Sequence, residues 1–94
     1  MYAVFIYYPG SNWQQGKSIF EQALEGHASY MSKLEQEGIL RIGGAFTNSA
    51  GAMGILNVDT FEQAKALVQQ DPAIQNKIMK ADIHPWQPSV AQKL

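Results

Sequence analysis

The sequence predicts an α+β domain of the ferredoxin-like class, with strands and helices in the order βαββαβ. Four short segments have the alternating or β-branched pattern of strands, and two of them are separated by only five polar residues. Two stretches between the strands have the capping-box pattern that opens a helix. Because 94 residues suffice for one hydrophobic core and not for two, we expect one domain over residues 1–86 and a C-terminal arm over residues 87–94.

The first strand is predicted over residues 2–8, where aromatic and β-branched side chains continue until the turn-forming run that starts at Pro9. Ser18 and Glu21 have the spacing of a capping box, in which each side chain accepts a hydrogen bond from a backbone N–H. The first helix is therefore predicted to begin at Ser18 and to end at Gly38. Its buried stripe is predicted to be Phe20, Ala23 or Leu24, His27, Met31 and Leu34.

The middle of the chain has two strand-like segments, residues 39–46 and 52–58, joined by a connection of hairpin length. We expect these two strands to pair antiparallel. Thr60 and Gln63 then repeat the capping-box spacing and predict the second helix.

The second helix is predicted to be interrupted at Asp71-Pro72 and to be followed by a short helical turn from Pro72 to about Lys77. The last strand is predicted over residues 78–86, where apolar and polar side chains alternate. Both helices are expected on one face of a four-stranded antiparallel sheet.

The sheet face away from the helices is predicted to have more apolar surface than a monomer normally exposes. We place these apolar residues there: Val4, Ile6, Ile42, Leu56 and Ile83. Two chains that pack these faces together would bury that surface. The sequence therefore predicts a homodimer formed through the sheet faces.

The charge composition argues against nucleic acid and membrane partners. Seven Lys and Arg residues against eight Asp and Glu residues give a formal net charge of −1, which adds nothing to binding of phosphate backbones or anionic lipid. An RNA-binding sheet of the same strand order is disfavoured because residues 52–58 lack the basic and aromatic side chains that such sheets use. With no cysteine and no signal-peptide pattern at the N-terminus, the expected location is the cytoplasm.

His27 and Asp71 are the candidate catalytic residues. Of the two histidines, His27 lies in the predicted apolar stripe, where partial burial and a nearby carboxylate suit an imidazole to acid–base chemistry, whereas His84 is predicted at a surface or interface. Each candidate has a structural alternative: His27 as a hydrogen-bonded core residue, and Asp71 as the cap of a helix that begins with Pro72. The two roles of Asp71 are compatible because a carboxylate has two oxygens.

No metal and no cofactor are expected. Two histidines without any cysteine are a poor ligand set, and the sequence has no H-x-x-x-H spacing. The glycines at 43–44 and 51–54 are not followed by the helix and lysine of a nucleotide-binding loop.

Several short motifs in order resemble the YCII (YciI-like) family over about the first 86 positions. They are Gly26-His27-Ala28-Ser29-Tyr30-Met31-Ser32-Lys33-Leu34, Gly38-Ile39-Leu40-Arg41-Ile42-Gly43-Gly44, Thr60-Phe61-Glu62-Gln63-Ala64, Asp71-Pro72 and Ile83-His84-Pro85-Trp86. The resemblance implies a dimeric α+β barrel with a His–Asp pair in a small cleft, which falls on His27 and Asp71. It also implies relatives that act on chlorinated, hydroxylated aromatics. The chain departs from the family at Ala45, where proline is usual, and at Ala73, where an aromatic is usual.

The resulting hypothesis is a cofactor-free enzyme of lyase, isomerase or dehydrohalogenase type that acts on a small cyclic or aromatic compound. Asp71 would accept a hydrogen bond from one nitrogen of His27 and leave the other to exchange a proton. Tyr8, Trp13 and Gly44 are the expected substrate-binding residues, with Tyr8 at the mouth of the cleft and Trp13 as its lid or as a packed loop aromatic. The alternative is a non-catalytic dimeric module that binds a small ligand or serves a larger pathway.

Overall fold

The computed structural model describes residues 1–91, and these contain one four-stranded antiparallel sheet. Its strands are β1 (Tyr2–Pro9), β2 (Leu40–Ala45), β3 (Ala52–Asn57) and β4 (Met79–Trp86), in the spatial order β2-β3-β1-β4. This is the ferredoxin-like α+β fold that the sequence predicts. The predicted C-terminal arm includes residues 92–94, which lie outside the described residues.

The helices are α1 (His27–Gln36), α2 (Phe61–Gln69) and α3 (Pro72–Gln75), and a short 3₁₀ turn, Ile19–Glu21, precedes α1. The prediction for α2 is confirmed, since the Thr60 side chain accepts a hydrogen bond from the Gln63 N–H. Gly38 is also confirmed at the end of α1, because it has a φ of 78° and the next N–H, from Ile39, donates to the Leu34 carbonyl oxygen at 2.9 Å. None of the helices among the described residues is long and apolar enough to cross a membrane.

The predicted start of the first helix is wrong, because α1 begins at His27 and not at Ser18. The Glu21 carboxylate does accept from the Ser18 N–H at 3.2 Å, but the helical geometry ends after a single 3₁₀ turn. The Gln22 side chain stops it by bonding the backbone of the preceding loop, so the chain folds back on itself. Phe20, predicted to be buried, is consequently 86% exposed.

The sheet has one covered face and one open face. The covered face carries Ala3, Phe5 and Tyr7 of β1, which are all buried. Leu56 and Ile83 were expected on the open face, and this expectation is wrong, because Leu56 lies opposite Ala3 and Ile83 lies opposite Phe5. Residues directly opposite each other in a ladder point to the same face. The open face keeps Val4, Ile6 and Ile42 as expected and also has Met53, Ile55 and Trp86.

Candidate functional site

His27 and Asp71 are in direct contact, although 44 positions separate them in the sequence. The His27 Nδ1 atom lies 2.8 Å from one Asp71 oxygen and 2.9 Å from the other. The Asp71 side chain is fully buried, whereas 21% of the His27 side chain is exposed. In a neutral His27 the proton is therefore on Nδ1, where it can be donated to the carboxylate, and Nε2 is the nitrogen that remains for a ligand.

The Asp71 carboxylate accepts two further hydrogen bonds. The Ala73 N–H donates to Oδ1 at 2.9 Å, so Asp71 caps α3 as its spacing before Pro72 predicts. The Tyr7 hydroxyl donates to Oδ2 at 2.8 Å from the covered face of β1. Asp71 therefore serves as a helix cap and as the partner of His27 at the same time.

The first residues of α1 and α3 pack against each other beside Asp71, and Gly26 makes this close approach possible. Gly26 precedes the first residue of α1 and has a φ of 83°, a backbone conformation that glycine adopts without strain. A Cβ atom at this position would lie 3.2 Å from the Pro72 ring. The absence of a side chain at Gly26 thus lets the start of α1 pack on the start of α3, which brings His27 to Asp71.

Two tyrosines near the carboxylate are held in their neutral form. Burial raises the pKa of Tyr7 far above its ordinary value, and the charge of Asp71 and the hydrogen bond to it act in the same direction. Burial raises the pKa of Tyr30 as well, with smaller contributions from Asp71 and Glu37. Tyr30 donates its hydroxyl to the Leu67 carbonyl oxygen at 2.6 Å, whereas Tyr7 donates directly to Asp71.

His27 lies in the wall of a cavity of about 440 Å³. The cavity lies between the 3₁₀ turn, the first half of α1 and the edge of the sheet formed by β2 and β3. Its lining is mostly apolar: Phe5, Ile19, Phe20, Leu24, Ala28, Met31, Leu40, Gly43, Gly44, Ala45, Ala52 and Met53, with Gln22 and His27. This volume is within the usual range for small-molecule sites.

Of the two polar side chains in the cavity lining, His27 is the one that can hydrogen-bond a ligand. The other polar side chain, Gln22, uses its amide nitrogen and oxygen to bond the backbone of Gln14, Lys17 and Ser18. No Lys, Arg, Asp or Glu side chain lines the described cavity. The site therefore combines one acid–base group with an apolar, uncharged wall.

The structure brings Gly44 to this cavity but not Tyr8 or Trp13. Tyr8 lies on the opposite face of the sheet, 36% exposed, beside Lys80 and Asp82 of β4. Trp13 packs partly buried against the core. The 9–16 loop turns towards β4, because the Gly10 and Asn12 N–H groups donate to Ile78 and Lys77, and residues 19–24 take its place beside the cavity.

Tyr7 is a site residue that the sequence did not reveal, although a signal existed. A tyrosine at a buried strand position needs an acceptor for its hydroxyl. Identifying that acceptor as Asp71 requires the three-dimensional arrangement of β1 and α3. Within residues 1–91, no group of three or more His, Cys, Asp or Glu side chains is placed to hold a metal ion.

Comparisons with known proteins concern the whole domain. A profile of the YCII-related domain matches residues 1–87. Among solved structures, the chain is similar to the 5-chloro-2-hydroxyhydroquinone dehydrochlorinase of Burkholderia phenoliruptrix AC1100, in complex with 2,5-dihydroxybenzoquinone, with a TM-score of 0.63 and 14% sequence identity. The similarity covers 90% of this chain and 93% of that one, and at this identity it shows a common fold. No curated protein matches this chain in sequence.

Proposed function

Because the chain belongs to the YCII-related domain family, we propose that it is an enzyme that uses His27 and Asp71 for acid–base chemistry on a small cyclic or aromatic compound. The observation that carries the proposal is the 2.8 Å contact between the buried Asp71 carboxylate and the Nδ1 atom of His27, which lines an apolar cavity. Burying a carboxylate is costly unless hydrogen-bond donors compensate it, so a pair that only stabilised the surface would not need a buried Asp71.

In the proposed reaction His27 is the general base and then the general acid. Its Nε2 atom takes a proton from the substrate, and the Asp71 carboxylate stabilises the resulting imidazolium through Nδ1–H. The proton then returns to another atom of the substrate in an isomerisation. In an elimination from a hydroxylated, halogenated ring, the proton returns to the ring carbon that bears the halogen. Loss of a second hydroxyl proton to solvent then turns that C–O bond into a carbonyl and shifts the adjacent double bond, and the halide departs with the electron pair of its carbon–halogen bond.

The lining favours a neutral and mostly apolar substrate. A carboxylate or phosphate on the substrate would find no Lys or Arg side chain among the lining residues. A hydroxylated ring, with or without a halogen, provides apolar faces for the wall and a proton that His27 can exchange. The similar dehydrochlorinase is an enzyme whose structure holds a dihydroxybenzoquinone, which is a compound of this class.

The test is turnover of a panel of hydroxylated aromatics and quinones, with and without chlorine, by the wild type and by His27→Gln. We expect His27→Gln to remain folded and to lose at least about 100-fold in kcat, the usual contribution of a general acid–base group. His84→Gln is the matched control because His84 lies on the open face of the sheet and does not line the cavity, and we expect it to keep the wild-type rate.

The non-catalytic alternative makes a different prediction in the same experiment. A binding module would bind panel members saturably, detected by ligand NMR, with no product formed by the wild type or by His27→Gln. That outcome would overturn the enzyme proposal.

We also propose that the chain forms a homodimer through the open face of the sheet. The support is the apolar surface there, with Met53 38% and Ile42 45% exposed. These residues lie beside Val4, Ile6 and Ile55 across three adjacent strands. A contiguous apolar face of this kind is uncommon on monomers.

Sedimentation of the wild type and of Ile55→Asp tests the dimer. The wild type should sediment with twice the mass of the chain and Ile55→Asp as a monomer, because the substitution places a charge in the apolar centre of the face. Ser32→Asp, on the exposed side of α1, should leave the dimer intact. A wild type that stays monomeric at high protein concentration would contradict the proposal.

A further inference from the structure

The Tyr7 hydroxyl is bonded to the carboxylate on which the proposed reaction depends. Tyr7 is 0% exposed, its oxygen lies 2.8 Å from Asp71 Oδ2, and its ring contacts Phe5 with 4.7 Å between centroids. The Tyr7 ring also lies 6.2 Å from the His27 ring, centroid to centroid. Tyr7 does not line the cavity, so it cannot touch a ligand there.

The Tyr7 hydroxyl can act only as a donor to Asp71. Burial and the charge of Asp71 raise its pKa well above the ordinary value, so the phenol keeps its proton at neutral pH. The Oδ2 atom that receives this bond also lies 2.8 Å from His27 Nδ1. Tyr7 and His27 therefore donate hydrogen bonds to the same carboxylate oxygen, and each bond weakens the other.

We propose that Tyr7 is a positioning residue that sets how strongly Asp71 holds the proton-bearing His27. Together with the Ala73 N–H on Oδ1, the phenol fixes the carboxylate plane and takes up part of its charge. Asp71 then stabilises the imidazolium enough for Nε2 to take a proton from the substrate. It does not stabilise the imidazolium so strongly that Nε2 cannot give that proton back. This catalytic consequence rests on the proposed function, whereas the hydrogen-bond chain itself does not.

Tyr30 distinguishes this role from a purely structural one. It is another tyrosine close to the site, partly buried, and its hydroxyl donates to a backbone carbonyl instead of to Asp71. Tyr30→Phe removes one tyrosine hydrogen bond, as Tyr7→Phe does, but leaves the partners of the carboxylate unchanged. The titratable groups that act on Asp71 are His27 and Tyr30 from α1 and Tyr7 from β1.

The first readout needs no substrate. The NMR signal of the His27 Nδ1 proton reports the strength of its bond to Asp71. In Tyr7→Phe we expect it to move downfield, because Oδ2 no longer shares its charge with the phenol, whereas Tyr30→Phe should leave it in place. An unchanged Nδ1 proton in Tyr7→Phe would overturn the proposal and reduce Tyr7 to a packing residue.

A second variant keeps the test valid if Tyr7→Phe fails to fold. Replacement of Tyr7 alone by 3-fluorotyrosine preserves the ring and the hydroxyl but makes the phenol a stronger donor. We then expect the His27 Nδ1 proton to move upfield, which is opposite in sign to the effect of Tyr7→Phe. No shift, or a shift in the same direction, would overturn the proposal.

The third readout is the rate profile, measured with a substrate that the wild type converts. For Tyr7→Phe we expect kcat to fall about 10-fold with KM nearly unchanged, and the acid limb of the profile to move to higher pH. Tyr30→Phe should keep the wild-type profile. If the wild type converts no substrate, the proposed function fails, while the Nδ1 measurements still decide whether Tyr7 governs the His27–Asp71 bond.

Discussion

Tyr7 and Tyr8 are neighbours in the sequence, but they belong to the two different surfaces of the sheet. Tyr7 is fully buried under the helices with its hydroxyl on Asp71, whereas Tyr8 is 36% exposed on the open face. A strand turns successive side chains to opposite sides, so one step along β1 changes the environment completely.

The covered face combines apolar packing with a buried carboxylate whose charge is balanced by hydrogen-bond donors, and the open face has neither. On the covered face Asp71 is buried with Tyr7, His27 and Ala73 as its donors, and the described residues leave no buried side-chain polar atom without a partner. On the open face the apolar side chains remain accessible in the single chain. The site is therefore supported by the same layer that stabilises the fold, while the open face is available for assembly.

The largest expected effect is the removal of the buried carboxylate. Asp71→Ala should lower the free energy of unfolding by about 2 to 4 kcal/mol, because it leaves the buried Tyr7 hydroxyl without an acceptor and removes the cap of α3. Asp82→Ala, on the open face, should change it by less than about 0.5 kcal/mol in a dilute sample. Urea unfolding of both variants measures the difference, and equal costs would contradict the contrast between the two faces.

Two glycines allow a second comparison of the faces. A Cβ at Gly54 would overlap the buried Phe5 ring, whereas a Cβ at Gly44 would meet no atom within 4 Å. We expect Gly54→Ala to cost about 1 to 3 kcal/mol through overpacking and Gly44→Ala to be neutral within about 0.5 kcal/mol. Thermal unfolding of the pair tests this, and a Gly54→Ala variant as stable as the wild type would show that the Phe5 ring has room to move.

The covered tyrosine should also give the protein a specific sensitivity to alkaline pH. In the unfolded chain Tyr7 loses its proton near its ordinary pKa of 10.0, but its pKa in the folded chain is raised far above this value. Above pH 10 the unfolded state therefore binds fewer protons than the folded state, and stability falls as pH rises, by up to about 1.4 kcal/mol per pH unit. Below pH 10 this contribution is fully present.

Urea unfolding between pH 9 and about pH 11 isolates this contribution when variants are compared. Tyr7→Phe should have a shallower decline than the wild type, while Tyr8→Phe should decline in parallel with it, since it leaves Tyr7 and its bond to Asp71 unchanged. Parallel curves for Tyr7→Phe and the wild type would mean that the Tyr7 phenol ionises in the folded state as easily as in the unfolded one.

Most of the fold follows from local sequence signals, and the exception shows their limit. The capping patterns at Thr60 and Ser18 look alike in sequence, yet the first opens α2 and the second opens only a 3₁₀ turn. The difference lies in the residues that follow. Gln22 bonds the backbone of the preceding loop and Gly26 takes a positive φ, so the helix restarts at His27. The capping pattern at Ser18 does not show that the bonds of Gln22 to the loop will prevail over a continued helix.

The sequence predicts those residues of the candidate site whose side chains are uncommon in the chain and suited to acid–base chemistry. His27 and Asp71 stand out because histidine and a carboxylate before proline are few in this chain, and the structure places them in contact. Tyr8 and Trp13 could not be placed correctly, because the path of the 9–16 loop depends on its backbone bonds to Lys77 and Ile78. Such long-range bonds are decided by the whole fold.

The smallest expected effect compares two adjacent residues of β3 that point to opposite faces. Leu56 is 1% exposed in the core, and Ile55 lies on the open face opposite Val4 and Ile42. Leu56→Val should cost about 1 kcal/mol at any protein concentration, since the surrounding core closes only partly around the lost volume. Ile55→Val should cost less than about 0.5 kcal/mol in a dilute sample, because water already reaches this side chain in the single chain.

Protein concentration turns this small difference into a test of the two faces. If two open faces pack together, Ile55 becomes a core residue of the dimer, and the cost of Ile55→Val should rise towards that of Leu56→Val as the sample is concentrated. Urea unfolding across a range of roughly 1 to 100 μM, over which a dimer with a Kd of about 10 μM dissociates, measures this change. A cost for Ile55→Val that stays constant over the range, in samples that sediment as dimers, would place the dimer contact elsewhere on the molecule.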